Sequence, residues 1–192
     1  MIDNAEVSPP DDVVIAATKH WLEQIVIGLN LCPFARASYV KQRVRLRVSA
    51  ATTEDELVAD LAEELGFLAA ADMDDTETTL LIHPQMCGDF LDFNDFLDIA
   101  DATVQALGLE GELQVASFHP DYQFADAAPD AIENCTNRSP YPTLHLLRES
   151  SIDRAVESVD DTDDIYRRNI ETLRELGWEG LRAKQRQACH AH

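Results

Sequence analysis

The chain has 192 residues, 45% hydrophobic and 27% charged, which suits one globular core and excludes a disordered or fibrous protein. No run approaches the ~20 apolar residues of a membrane span, and the opening MIDNAEVSPPDD lacks the basic start and apolar stretch of a signal peptide. A formal net charge of −21 argues against nucleic-acid and anionic-membrane partners, because phosphate binding depends on clustered Lys and Arg.

The charge is unevenly spread. From Val48 to Asn137 there is no lysine or arginine, and that window holds 21 acids, equal to the whole net charge. Solvated acidic helix faces explain such a window. Cys32, Cys87, Cys135 and Cys189 lie far apart in a chain too long to need stapling, so reduced thiols and a cytoplasmic location are expected.

In chain order, Ser8-Pro9-Pro10-Asp11 reads as a helix start with Ser8 as cap. Val14, Ala17, Trp21, Ile25 and Leu29 recur at helical spacing up to Cys32-Pro33. Lys41 to Val48 switches to period two, a strand. Thr53-Glu54-Asp55-Glu56 is a capping box for a helix with Leu57, Leu61, Leu65 and Leu68 on one face. Thr79 to Ile82 is a short strand stopping at His83-Pro84. Asp89 caps a helix striped by Phe90, Phe93, Leu97, Ala100, Val104 and Leu107 and ended by Gly108; its Asp92, Asp95, Asp98 and Asp101 face water. Leu113 to Phe118 is a strand stopping at His119-Pro120. A connection from Asp121 to Pro142 carries one short helix near Pro129–Asn134, and Leu144 to Leu147 is the last strand. Two helices follow, the second packed by Ile165, Ile170, Leu173 and Leu176 and ended by Gly177.

The order α-β-α-β-α-β-β-α-α implies an α/β fold, a small four-stranded mixed sheet with crossover helices, in one domain over 11–182 with tails at 1–10 and 183–192. In such sheets ligands gather beyond the carboxyl ends of the strands. His83 and His119 each follow a strand directly. If those strands are parallel neighbours, both imidazoles share one edge; the plainer reading is that His-Pro simply ends a strand. The connection after His119 is long for a compact domain and rich in aromatic and hydrogen-bonding residues, including Asn137, Arg138 and Tyr141. A last strand antiparallel to the one before brings Arg138 and Tyr141 beside His119. A parallel one brings Arg148.

At this point the residues resemble a family. LNLCPFA (Leu29–Ala35), DFLDF (Asp89–Phe93), FHPDYQF (Phe118–Phe124) and NRSPYPTLHLLRE (Asn137–Glu149) are similar to the bacterial family called domain of unknown function 1415. The resemblance runs from the first helix to about Trp178. It implies a small α/β domain and carries over no activity, cofactor or catalytic residue.

Three constellations carry chemistry. Lys41, Arg43, Arg45 and Arg47 project from one strand face, with Val44, Leu46 and Val48 on the other. That face no apolar helix can cover, so the strand is at an edge or its face is open. It is either a ladder paired to acidic helices or an anion site. Cys32 is a buried small hydrophobe or a nucleophile with His119 as base, although it precedes the first strand and so starts at the opposite edge. Cys32, His83, Cys87, His119, Cys135 and His145 offer metal-binding atoms, but with no CxxC or HExxH no metal site is expected, and no cofactor is identified.

The reading that follows is an enzyme acting on a small anionic, phosphate- or carboxylate-bearing substrate at the carboxyl edge. His119, His83 and Cys32 are its catalytic candidates, and Arg138, Arg148, Tyr141, Asn137, Arg43 and Arg45 its substrate-binding candidates. The alternative is a non-catalytic accessory domain whose acidic helices bind a protein partner. An enclosed pocket beside His119 favours the first and an exposed apolar patch the second.

Overall fold

A computed structural model describes residues 8–157 and 162–186. The helix at Asp11–Trp21 (α1) runs into a π-helical turn at Leu22–Val26, followed by a short helix at Ala35–Val40 (α2). The first strand is Val44–Val48 (β1), then come Glu54–Ala70 (α3), Thr78–Ile82 (β2), Phe90–Ala106 (α4) and Leu113–Phe118 (β3). A 3-10 helix at Ile132–Thr136 interrupts the long connection to Thr143–Arg148 (β4), and Glu149–Glu157 (α5) and Thr162–Arg186 (α6) are the last described elements. The fold is α/β, as the sequence implies.

The strands form one mixed sheet in the order β1-β2-β4-β3. β1 and β2 are parallel, while β4 is antiparallel to both β2 and β3. β2 and β3 therefore point the same way but are not neighbours as supposed; β4 lies between them.

Strand alternation decides what each face buries. Leu81, Leu113, Leu144 and Leu146 pack with Leu57, Leu61, Leu65 and Leu68 of α3 and Phe93 and Ala100 of α4. On the other face Val48, Leu80 and Ile82 pack with Val14, Trp21, Leu22 and Ile25 and with Leu173 and Leu181 of α6. Helices pack on both sheet faces, and β2 is buried along its whole length.

The local signals work where they rest on stereochemistry. The Thr53 hydroxyl accepts from the Glu56 amide and the Glu56 carboxylate accepts from the Thr53 amide, closing the capping box of α3. Asp89 accepts from the amides of Leu91 and Asp92 at the start of α4, and Gly108 follows its end at φ 68°. Asp92, Asp95, Asp98 and Asp101 are exposed.

Four details differ from expectation. Pro10 rather than Ser8 holds the cap position of α1, with no side-chain cap bond. The strand begins at Val44 rather than Lys41, because α2 and a turn with Gln42 at φ 59° precede it. The first helix passes at Trp21 into the π turn, where Ile27 N–H donates to Leu22 O at 2.8 Å. Gly177, at φ 64°, breaks α6 without ending it: the helix resumes through Arg186 and buries Leu181. Cys189, His190 and His192 lie outside the described residues. Among the described residues, no helix is long and apolar enough to cross a membrane.

Candidate functional site

Both histidines sit at the carboxyl edge on the α4 side of the sheet. The Phe93 ring lies 5.7 Å from the His83 ring and 5.0 Å from the His119 ring, so the two imidazoles share one aromatic neighbour. Both are fully buried. His119 Nε2 donates to the Cys87 carbonyl at 3.0 Å, and its Nδ1 accepts from the Asp121 amide at 3.0 Å. One ring thus ties the turn after β2 to the turn after β3, and neither nitrogen is left to move a proton. Burial lowers its pKa.

His83 donates from Nδ1 to the Met86 carbonyl at 3.0 Å, while its Nε2 is buried without a partner. Burial, with His119 adding repulsion, pushes its pKa down to about 4. His145 in β4 is likewise pushed down to about 4 by burial. A depressed histidine pKa means that protons prefer the unfolded chain. The stability these neutral rings contribute is present above about pH 6.5 and is lost as pH falls toward 4. Linkage then makes the unfolding free energy fall by about 2 kcal/mol per ring between pH 7 and pH 5. His83→Asn keeps a donor for Met86 but cannot titrate, so its loss over that interval should be smaller than wild type's by about that amount in urea titrations. An unchanged pH slope would exclude His83 as the responsible group.

The arginines proposed to grip an anion are committed elsewhere. β4 runs antiparallel to β3, so the end of the long connection, not Arg148, enters beside His119. Arg138 is half-buried and donates from Nε to Tyr122 O at 3.1 Å and from Nη2 to Pro129 O at 2.9 Å. It pins its own loop rather than pairing with a carboxylate. Asn137 donates to Ser117 O at 3.4 Å, and the Tyr141 carbonyl accepts from the hydroxyls of Ser139 and Thr143. The organiser of this loop is Asn134, which the sequence marks only as the end of a short helix. It is fully buried, accepts from Phe124 N–H at 3.1 Å and donates to Ala128 O at 2.8 Å.

Arg148, at the opposite edge, is buried and donates from Nη2 to Leu68 O and Ala71 O at 2.6 and 2.7 Å. It caps the carboxyl end of α3, where unpaired carbonyls and the helix dipole favour a cation. β1 is an edge strand, one of the two arrangements expected, and its half-exposed arginines reach across to α3. Arg45 makes two bonds to the buried Glu64 at 2.7 and 3.0 Å, Arg47 lies 3.6 Å from the same carboxylate, and the Arg45 guanidinium stacks 4.4 Å above Phe67. Arg43 pairs with Asp74. The three arginines therefore hold β1 to α3 and to the turn before β2, with their charges answered from within the chain.

A cavity of about 320 Å³ lies on the other face of the sheet. Its floor is β2, β3 and β4, where Leu80, Ala116 and His145 point away from α3 and α4. The π turn supplies Leu22 and Val26 to its wall, and α2 contributes Tyr39. A π turn widens a helix by one residue and is often found where a helix borders a ligand site. Here it starts just after Trp21, whose indole packs edge-on against Phe118 at 5.2 Å. The lining is almost wholly apolar, apart from a cluster where Ser38 of α2 and Ser151 of α5 both donate to the Glu77 carboxylate, at 2.7 and 3.2 Å. Tyr39 donates to Glu23 at 2.6 Å, and burial with that contact pushes its pKa up to about 12.

Cys32 lines this cavity. It and His119 accordingly lie on opposite faces of the sheet, so His119 is not its base. Cys87 and Cys135 are free as well, and burial raises both thiol pKa values, that of Cys87 to about 11. Among the described residues, no group of three or more His, Cys, Asp or Glu is placed to hold a metal ion.

The cavity is not legible in the sequence, although one signal of it is present. Period two in Thr143-Leu-His-Leu-Leu-Arg148 puts His145 and Leu147 on the face opposite Leu144 and Leu146. The remaining lining residues come from segments far apart in the chain and carry no shared motif.

No curated protein and no solved structure is significantly similar to this sequence. The model of one family, described as protein of unknown function (DUF1415), matches residues 13–183, and the chain belongs to that family.

Proposed function

We propose that the protein binds a small, largely apolar molecule in the cavity between the sheet and the π turn. The observation that carries this reading is the cavity itself: about 320 Å³, apolar, and bounded by His145, Cys32 and the Ser38–Glu77–Ser151 cluster. Its size falls at the lower end of the ~300–1,000 Å³ range of pockets that hold small ligands, and mostly apolar walls with a few polar groups are their usual make-up. An enzyme acting on a small anion at the carboxyl edge draws less support, since His119, Arg138 and Arg148 spend their donors on backbone carbonyls. A net charge of −21 also works against anionic ligands, nucleic acid included.

Ala116 lies in the cavity floor opposite His145 in the β3–β4 register. Wild type should bind the neutral fluorophore N-phenyl-1-naphthylamine saturably with a blue shift. At a free concentration of 100 times Kd it should gain about 2.7 kcal/mol of stability. Ala116→Phe fills the space and should abolish both effects while the chain stays folded. Equal binding by the folded variant, or no saturable binding by wild type, would refute the reading.

A further inference from the structure

The hydrogen bonds around His145 determine which of its nitrogens carries the proton. The Thr78 hydroxyl has one proton, and it goes to the Leu146 carbonyl at 2.6 Å, since a carbonyl can only accept. The same oxygen lies 2.7 Å from His145 Nε2, so Nε2 must be the donor in that contact. A neutral imidazole protonated at Nε2 carries a bare lone pair at Nδ1. Burial keeps this ring neutral down to about pH 4, so across the ordinary range it offers an acceptor and no positive charge.

The charge of the cavity points the same way. Among the described residues its lining contains no lysine or arginine, and its one carboxylate is Glu77. Both Glu77 oxygens already accept from serines, and Arg154 lies 3.6 Å from one of them. A ligand carboxylate would therefore enter an apolar chamber that holds a carboxylate and no cation to answer it. The desolvation cost of an unpaired charge would go uncompensated.

Building on the cavity-binding reading, we propose that the ligand is an uncharged amphiphile, with an apolar body lying against Leu80 and Phe118 and a hydroxyl or N–H group donating to His145 Nδ1. The site selects alcohols, phenols or amides over the corresponding acids. It does so by withholding a cation and by presenting an acceptor.

The test is displacement of N-phenyl-1-naphthylamine from the full chain at pH 8 by 1-octanol, octyl methyl ether and octanoate. Octanol should compete on the order of 100-fold more strongly than octanoate, as expected when a charge must be buried unpaired. The ether keeps the apolar body but has no donor, and should be weaker than octanol by about 5- to 10-fold, the worth of one hydrogen bond. In His145→Phe the gap between alcohol and ether should close; if that variant fails to fold, the wild-type comparison of alcohol and ether decides. Octanoate competing as well as octanol, or the ether matching the alcohol in wild type, would overturn the inference while the cavity reading stands. Failure of wild type to bind the fluorophore at all would remove both.

Discussion

Arg148→Met should lower the unfolding free energy by about 3 kcal/mol. Methionine matches much of the length and apolar stem of arginine but donates nothing. The carbonyls of Leu68 and Ala71, now held at 2.6 and 2.7 Å, would be stranded at the buried end of α3, together with that of Thr76. A buried carbonyl without a partner costs about 1–3 kcal/mol, and loss of the cation also removes a favourable interaction with the helix dipole. Removing the guanidinium relieves its own burial cost, and its Nε is already unpartnered, so the net loss is smaller than the bonds taken singly. Arg43→Ala, by contrast, breaks a pair whose Asp74 is largely exposed and should cost under ~1 kcal/mol. Urea unfolding of the two variants makes the comparison. A loss below ~1 kcal/mol in Arg148→Met would mean that α3 ends as well in water as against the guanidinium.

His119 should behave as a clamp rather than a catalyst. In His119→Phe the ring still fits beside Phe90 and Phe93, but Cys87 O and Asp121 N–H lose their partners, at a cost of about 2–4 kcal/mol. His119→Gln retains a donor in the region of Nε2 and should recover part of that loss. Neither substitution touches the cavity on the opposite face, so fluorophore binding by folded protein should match wild type. Equal stability of wild type and His119→Phe would show that the ring's two hydrogen bonds add nothing. Loss of fluorophore binding in the folded variant would contradict the separation of the two faces.

Much of the fold was legible because its signals are local. A capping box, a left-handed glycine and strand alternation act within a few residues, so Thr53, Asp89, Gly108 and the core leucines of α3 identify themselves. What could not be read depends on pairing across the chain. The position of β4 between β2 and β3 is set by which strands bury the most together, and that placement sends Arg148 to α3 instead of to the histidine edge. The Arg ladder looked open because no apolar stripe was available to cover it. The partner is instead Glu64, an acid on a helix otherwise read by its leucines, with the ring of Phe67 beside it. The candidate site was misplaced for a related reason: histidine, arginine and cysteine draw attention as chemical groups, whereas a cavity is a property of space left between segments. Its marker was a small residue, Ala116, facing a histidine across a strand pair, and neither residue type signals a void by itself.

The insertion of β4 also bears on how the chain reaches its folded state during synthesis. Through Pro142 the growing polypeptide can pair β1 with β2 and contains all of β3, but in the folded sheet no ladder joins β3 to either of them. The ladder amides of β3 and one edge of β2 stay unsatisfied until β4, the last strand made, slides between them. Every residue through Arg148 must therefore leave the ribosome before the sheet can close. Up to that moment the nascent chain carries open strand edges flanked by leucines, the kind of surface that holding chaperones cover and that pairs wrongly with its neighbours when they are crowded.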